Sequence, residues 1–85
     1  MYTIEIAPAA ERALKKLSAD IQRRIIKGIL KLEVDPRPSG VKKLTGEDDL
    51  YRIRVGDYRI VYEIRDGELI ILVVRVAHRR EVYRR

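Results

Sequence analysis

The sequence predicts an α+β domain of order β-α-α-β-β-β, with a helical hairpin packed on one face of a mostly antiparallel four-stranded sheet. Three observations carry this. Residues 2–6 alternate apolar and polar. Residues 8–32 carry two apolar stripes at helical spacing. After residue 49 the chain is rich in β-branched and aromatic residues, and two short turn signals, Gly56-Asp57 and Asp66-Gly67, interrupt it.

In the first strand Tyr2, Ile4 and Ile6 share one face, and Thr3 and Glu5 the other. Pro8 suits the first position of a helix, where no N–H is needed. Ala10, Leu14 and Leu17 follow at i, i+4 and i+7, so residues 8–17 form a short amphipathic helix. Ser18 is the expected N-cap of a second helix, and Asp20 suits the positive end of its dipole. Ile21, Ile25, Ile29 and Leu32 make the second stripe, widened by Ile26 and Leu30; Arg23, Arg24, Lys27 and Lys31 fill the opposite side. So tight a connection makes the two helices an antiparallel hairpin. The segment Asp35-Pro36-Arg37-Pro38-Ser39-Gly40 ends the helix, because two prolines and a glycine cannot continue it. Strands are expected at Leu50–Val55, Tyr58–Arg65 and Glu68–Ala77, joined by two-residue turns.

The 85 residues are too few for two cores, so residues 1–85 read as one domain. The chain has no cysteine and one histidine, which argues against disulfide scaffolds, thiolate zinc sites and most histidine metal clusters; neither metal nor cofactor is expected. No apolar run approaches the ~20 residues of a membrane span, and Met1-Tyr2-Thr3-Ile4-Glu5 lacks the order of a signal peptide. A cytoplasmic protein with no membrane partner is therefore expected. Nineteen basic residues against 13 acidic ones leave a net charge of +6, which points to a polyanionic partner. Arg75 to Arg85 alone hold five arginines and one acid.

Strand register sharpens that charge. With Gly56 and Asp57 as loop residues, Val55 opposes Tyr58, Arg54 opposes Arg59 and Ile53 opposes Ile60. Tyr51, Ile53, Val55, Tyr58, Ile60 and Tyr62 then make the apolar face that seats the helices, and Arg52, Arg54 and Arg59 gather on the other. Like charges directly opposite are destabilising, so the simplest reason to keep Arg54 against Arg59 is an anion between them. Counting through a two-residue Asp66-Gly67 turn pairs Arg59 with Val74 and Val61 with Leu72. Ile70, Leu72, Val74, Val76 and His78 would then share the arginine face, and Arg75 would fall on the core face unless a bulge shifts the register.

Three segments resemble the RelE family of toxins from bacterial and archaeal type II toxin–antitoxin pairs. They are Lys42-Lys43-Leu44-Thr45-Gly46, Leu50-Tyr51-Arg52-Ile53-Arg54-Val55-Gly56-Asp57-Tyr58-Arg59-Ile60-Val61-Tyr62 and Val76-Ala77-His78-Arg79-Arg80-Glu81-Val82-Tyr83. The resemblance spans essentially the whole chain and implies a RelE-like microbial RNase fold. It also implies a metal-independent endoribonuclease that cleaves mRNA in the ribosomal A site through attack of the RNA's own 2′-hydroxyl, and a cognate RelB-like antitoxin. By the same resemblance Arg52 and Arg54 hold the basic positions of the second strand, and Arg59 meets the scissile phosphate. Arg79 stabilises the transition state or leaving group, and Tyr83 stacks on or orients the substrate. Lys42 and Lys43, on the loop before that strand, and Arg80 and Arg84 of the tail are expected to contact RNA.

Some relatives carry lysine at position 52 or 54, read there as a general base. Arginine is a poor base wherever it is placed, so proton removal falls to His78, Tyr83, a ribosomal group or, less directly, Glu63. Blander roles stand beside these. Arg52 and Arg54 suit the solvated face of an edge strand, His78 a strand end and Tyr83 simple ring packing. Arg23, Arg24, Lys27 and Lys31 read as a solvated helix side, although positive charge alone would let them meet ribosomal RNA. Two other functions fit the same fold: a ParE-like toxin acting on DNA gyrase, and a catalytically silent domain that binds RNA or antitoxin.

Overall fold

The structure, a computed structural model, describes residues 1–44 and 49–78. Strand β1 (Thr3–Ile6) leads into helices α1 (Pro8–Lys15) and α2 (Ala19–Leu30), and a 3-10 turn (Lys31–Glu33) follows. Strands β2 (Lys42–Lys43), β3 (Leu50–Val55), β4 (Tyr58–Arg65) and β5 (Ile70–His78) complete the order. Among the described residues the sheet has five strands, ordered β1-β5-β4-β3-β2. The α+β class and helical hairpin are as expected. The four-strand count is not, because the two-residue β2 pairs with β3 where a loop was expected. All pairings are antiparallel except β1 with β5.

Local chemistry accounts for the helices. Pro8 opens α1, whose Ala10 and Leu14 are buried. Ser18 caps α2, its hydroxyl oxygen accepting from the Ile21 N–H at 3.3 Å. The Gln22 side chain donates to the Leu17 carbonyl at 2.9 Å and ties the turn between the helices. Ile25, Ile29 and Leu32 pack with Ile60, Tyr62, Ile64, Ile71 and Val73, all at most 1% exposed. Gly28 lets α2 come close to β3, since a Cβ there would lie 2.8 Å from Val55 Cγ2.

The first hairpin has the expected register, from Val55↔Tyr58 and Arg54↔Arg59 to Leu50↔Glu63. Gly56 takes φ +58° and Asp57 stays at negative φ, the dihedral pattern of a type II′ turn. The second hairpin departs twice. Glu68 and Leu69 donate back to Arg65 and Asp66, winding residues 66–69 into a four-residue loop with Leu69 at φ +56°. Arg65 therefore opposes Ile70, not Glu68. A bulge between Val61 and Tyr62 then makes Tyr62↔Val73 and Val61↔Arg75 consecutive pairs, so Val74 is the extra residue. Beyond it the faces invert. Val76 enters the core, and Arg75 and Ala77 oppose Val61 and Arg59.

A polar cluster anchors the proline-rich linker to the far end of the sheet. Arg37 forms an ion pair with Asp66 at 3.0 Å, donates to the Tyr51 hydroxyl at 3.3 Å and lies over the Tyr51 ring. Tyr2 also donates to Asp66, and the Tyr62 hydroxyl donates to the Pro36 carbonyl at 2.7 Å. Burial pushes the Tyr62 phenol well above its ordinary range. Hydrogen bonds from Arg37 and then Tyr2 hold the Asp66 carboxyl below the usual carboxylate range.

Two expectations follow. A carboxyl whose pKa is lower folded than unfolded adds stability above the unfolded value and loses it as pH falls through the folded value. Asp66→Asn should therefore flatten the acid limb of the stability curve, read as urea midpoints from pH 6 down through the carboxylate range. Gly28→Ala should destabilise, because overpacking costs roughly 1–3 kcal/mol against about 1 kcal/mol of helix propensity gained. Adding Val55→Ala should relieve the clash, giving a favourable coupling in a double-mutant cycle by urea denaturation.

Candidate nucleic-acid interface

Strand β3 sorts its residues by parity. Tyr51 and Ile53 are buried toward the helices, and Arg52 and Arg54 project to the opposite face. Strand β4 supplies Arg59 directly across from Arg54, and β2 supplies Lys42 directly across from Arg52. Two like-charged cross-strand pairs thus lie side by side, each unfavourable on its own. Arg52, Arg54, Arg59 and Lys42 line a cavity of about 150 Å³, completed by Gly40 and Ile53. Among the described residues its lining contains no carboxylate.

Position within the sheet differentiates the four cations. Lys42 and Arg54 are exposed, Arg52 is half-buried, and Arg59 is 5% exposed with Nε and Nη1 withdrawn from solvent. Arg59 is held between flanking strands on both sides, which orders its stem and fixes where its guanidinium can reach. A buried guanidinium in low dielectric interacts more strongly with charge than one in water. The cavity is well below the ~300–1,000 Å³ of ordinary small-molecule pockets. It suits a compact anion such as a phosphate group, which planar guanidinium forks grip bidentately. The same groups stabilise charge that builds on phosphate oxygens, and none of them is a competent base.

Other expected residues fall elsewhere. His78 does not join the cleft. The bulge carries it onto the helix-side face opposite Tyr58, and the two rings meet edge to face at 5.4 Å. Val76 leaves the arginine face for the same reason, whereas Ile70 and Leu72, before the bulge, oppose Arg65 and Glu63 on that face. Lys43 opposes Tyr51, so by parity it shares the helix-side face and lies outside the cleft lining. Glu63 keeps the parity of Arg59, but its carboxylate is ion-paired to Arg65 at 2.9 Å. Arg79, Arg80, Tyr83 and Arg84 lie outside the described residues. Residue reading overlooked Gly40, which turns the chain into β2 at φ +90° and forms one wall. The Pro38-Ser39-Gly40 turn was its only trace in the sequence.

A family model described as "ParE toxin of type II toxin-antitoxin system, parDE" matches residues 4–83. The mRNA interferase toxin RelE of Escherichia coli K12 is 34% identical over 80 residues, covering 86% of this chain and 83% of the relative. The putative toxin RelE1 of Methanocaldococcus jannaschii is 27% identical over 86 residues, covering 98% and 96%. Among solved structures, the archaeal RelE–RelB complex from Pyrococcus horikoshii OT3 aligns with a TM-score of 0.81 at 32% identity, over 92% of this chain and 94% of that one. The intact E. coli RelBE toxin–antitoxin complex aligns with the same TM-score at 25% identity, over 92% and 96%.

The cross-strand arrangement makes one mutation informative. Arg54→Glu replaces a repulsive pair with an attractive one opposite Arg59, and should raise stability by roughly 0.2–1 kcal/mol. The same change should weaken the hold of the cleft on phosphate, so thermal midpoint and affinity for a phosphate-bearing oligonucleotide, measured on one preparation, should move in opposite directions.

Proposed function

Because the chain belongs to the RelE/ParE family of toxins from type II toxin–antitoxin systems, we propose that it is a ribosome-dependent endoribonuclease that cuts mRNA in the ribosomal A site. The observation that carries this reading is the cleft itself, where Arg52, Arg54, Arg59 and Lys42 converge with no carboxylate lining it among the described residues. The guanidiniums of the cleft provide the positive charge an anionic phosphorane needs and leave proton removal to another group. That division of labour fits a toxin that works only on the ribosome.

In the proposed reaction the 2′-oxygen of one nucleotide attacks the adjacent phosphorus and loses its proton. The bond to the 5′-oxygen of the next nucleotide breaks, and that oxygen takes up a proton. The products are a cyclic phosphate and a 5′-hydroxyl. Arg59 holds a non-bridging oxygen, and Arg52 and Arg54 flank it, so positive charge awaits the transition state without reorganisation. With guanidiniums supplying that charge, the chemistry is read as metal-independent. Arg79 is assigned to the transition state or leaving oxygen, and Tyr83 to orienting the substrate. Lys42, Lys43, Arg80 and Arg84 are assigned to the RNA backbone. His78, packed on Tyr58, is set aside as the base. Proton removal is assigned to Tyr83 or a ribosomal group.

A RelB-like antitoxin is the proposed partner. Its support is that the similar solved structures include RelE–RelB complexes, together with the chain's positive surplus. Charge and the aliphatic strip at Ile70 and Leu72 suit an acidic segment that orders on binding.

Primer extension on mRNA in a purified translation system checks the activity. The wild-type protein should create new 5′ ends, and Arg59→Ala should slow their appearance at least about a hundredfold. No cleavage, or undiminished cleavage by Arg59→Ala, would sink the proposal. Inhibition of gyrase supercoiling without cut RNA would move the chain to the gyrase-directed branch that the matched family model's description names.

A further inference from the structure

Beside the arginine cleft lies a larger groove of about 670 Å³, bounded by α2, the turn at Pro38–Gly40 and the end of β3. Four cations line it, namely Arg24, Lys27 and Lys31 on the helix side and Arg54 on the sheet side, and among the described residues no carboxylate does. Arg24 is ion-paired with Asp20 at 3.3 Å. Lys27, Lys31 and Arg54 are exposed and make no ion pair among the described residues. Groove and cleft are continuous, since Gly40, Ile53 and Arg54 line both. The junction exists because β2 pairs only with Tyr51 and Arg52, leaving the edge of β3 from Ile53 to Val55 uncovered by a strand. Gly28 completes the geometry, as the close approach of α2 to Val55 draws the lysines toward Arg54.

We propose that this groove is a second phosphate-binding site, which holds the backbone of the same RNA strand on one side of the phosphate in the cleft. The inference rests on the RNA reading of that cleft. From Arg24 to Lys31 the helix rises about 10 Å, so the cations are spread along the groove and can meet more than one phosphate of a single strand. Lysines on flexible stems suit sequence-independent backbone contacts. The floor at Pro38 and Val55 offers apolar surface to sugar and base. Continuity with the cleft through Arg54 favours a polynucleotide over an acidic protein segment, which needs no such junction.

The test compares the full-length wild type with Lys27→Ala/Lys31→Ala and with Arg59→Ala. Binding of fluorescent 2′-O-methyl RNA, which cannot be cut by its own 2′-oxygen, is followed by anisotropy across salt concentrations. A 12-mer reaches cleft and groove; a 3-mer reaches the cleft alone. The double lysine variant should bind the 12-mer roughly tenfold more weakly at 0.1 M salt, and its log–log salt slope should fall by about 1.4. Its 3-mer binding and its urea midpoint should stay unchanged. Arg59→Ala should weaken both oligonucleotides. An unchanged 12-mer slope in the lysine variant, with Arg59→Ala still weakening both, overturns the groove and spares the cleft. Loss of oligo-glutamate binding in the lysine variant with an unchanged RNA slope also overturns it, and assigns the groove to an acidic protein. If Arg59→Ala weakens neither oligonucleotide, the cleft reading fails and the groove fails with it.

Discussion

The pleat of the β3–β4 hairpin sends neighbouring residues to opposite faces, and the site depends on that separation. On one side Tyr51, Ile53, Ile60 and Tyr62 close over Ile25, Ile29 and Leu32 as part of the core, whose burial is the dominant favourable term in folding. On the other side Arg52, Arg54 and Arg59 share a face, with Arg54 directly opposite Arg59. The apolar residues cannot be buried without also presenting the cations. A slip of one residue would exchange the two sets, so the hydrophobic core holds the arginines in register.

The edge of the sheet shapes what that face can bind. A longer β2 would cover β3 as far as Val55 and separate the two basic concavities. A two-residue β2 brings Lys42 opposite Arg52 and stops. What delivers it there is the linker, anchored by Arg37 to Asp66 and Tyr51, and by the Tyr62 hydroxyl to Pro36. These bonds involve none of the residues that line the cleft, yet they limit where the chain between α2 and β2 can run. They also explain why a segment rich in proline and glycine can form a defined wall.

Local stability has been set aside where charge is concentrated. Lys42 faces Arg52, Arg54 faces Arg59, and Arg59 is almost fully buried. Like charges directly opposed across strands repel, and an anion lying among the guanidiniums would offset that repulsion. Elsewhere Glu63 pairs with Arg65, and Asp20 with Arg23 and Arg24. In the cleft, by contrast, cation opposes cation across two neighbouring strand pairs, the kind of juxtaposition that a phosphate lying between them would relieve.

How much was legible in the sequence follows from how local each feature is. The helices, their Pro8 and Ser18 starts and the β3–β4 register are set by residues close together in the chain. In a hairpin a short turn and a period of two fix every pair, and with them the gathering of Arg52, Arg54 and Arg59. Other features depend on groups distant in sequence. The four-residue loop at Asp66–Leu69 accompanies ties from Asp66 to Arg37 and Tyr2, 29 and 64 residues away. The Val74 bulge inverts the end of β5 and moves His78 from the arginine face to Tyr58. Parallel pairing of β1 with β5, the short β2 and the α2–β3 groove likewise arise only when separate elements pack. The sequence alone determined which residues could share a face. Tertiary structure decided which faces meet, because that depends on packing and hydrogen bonds between segments that no local period connects.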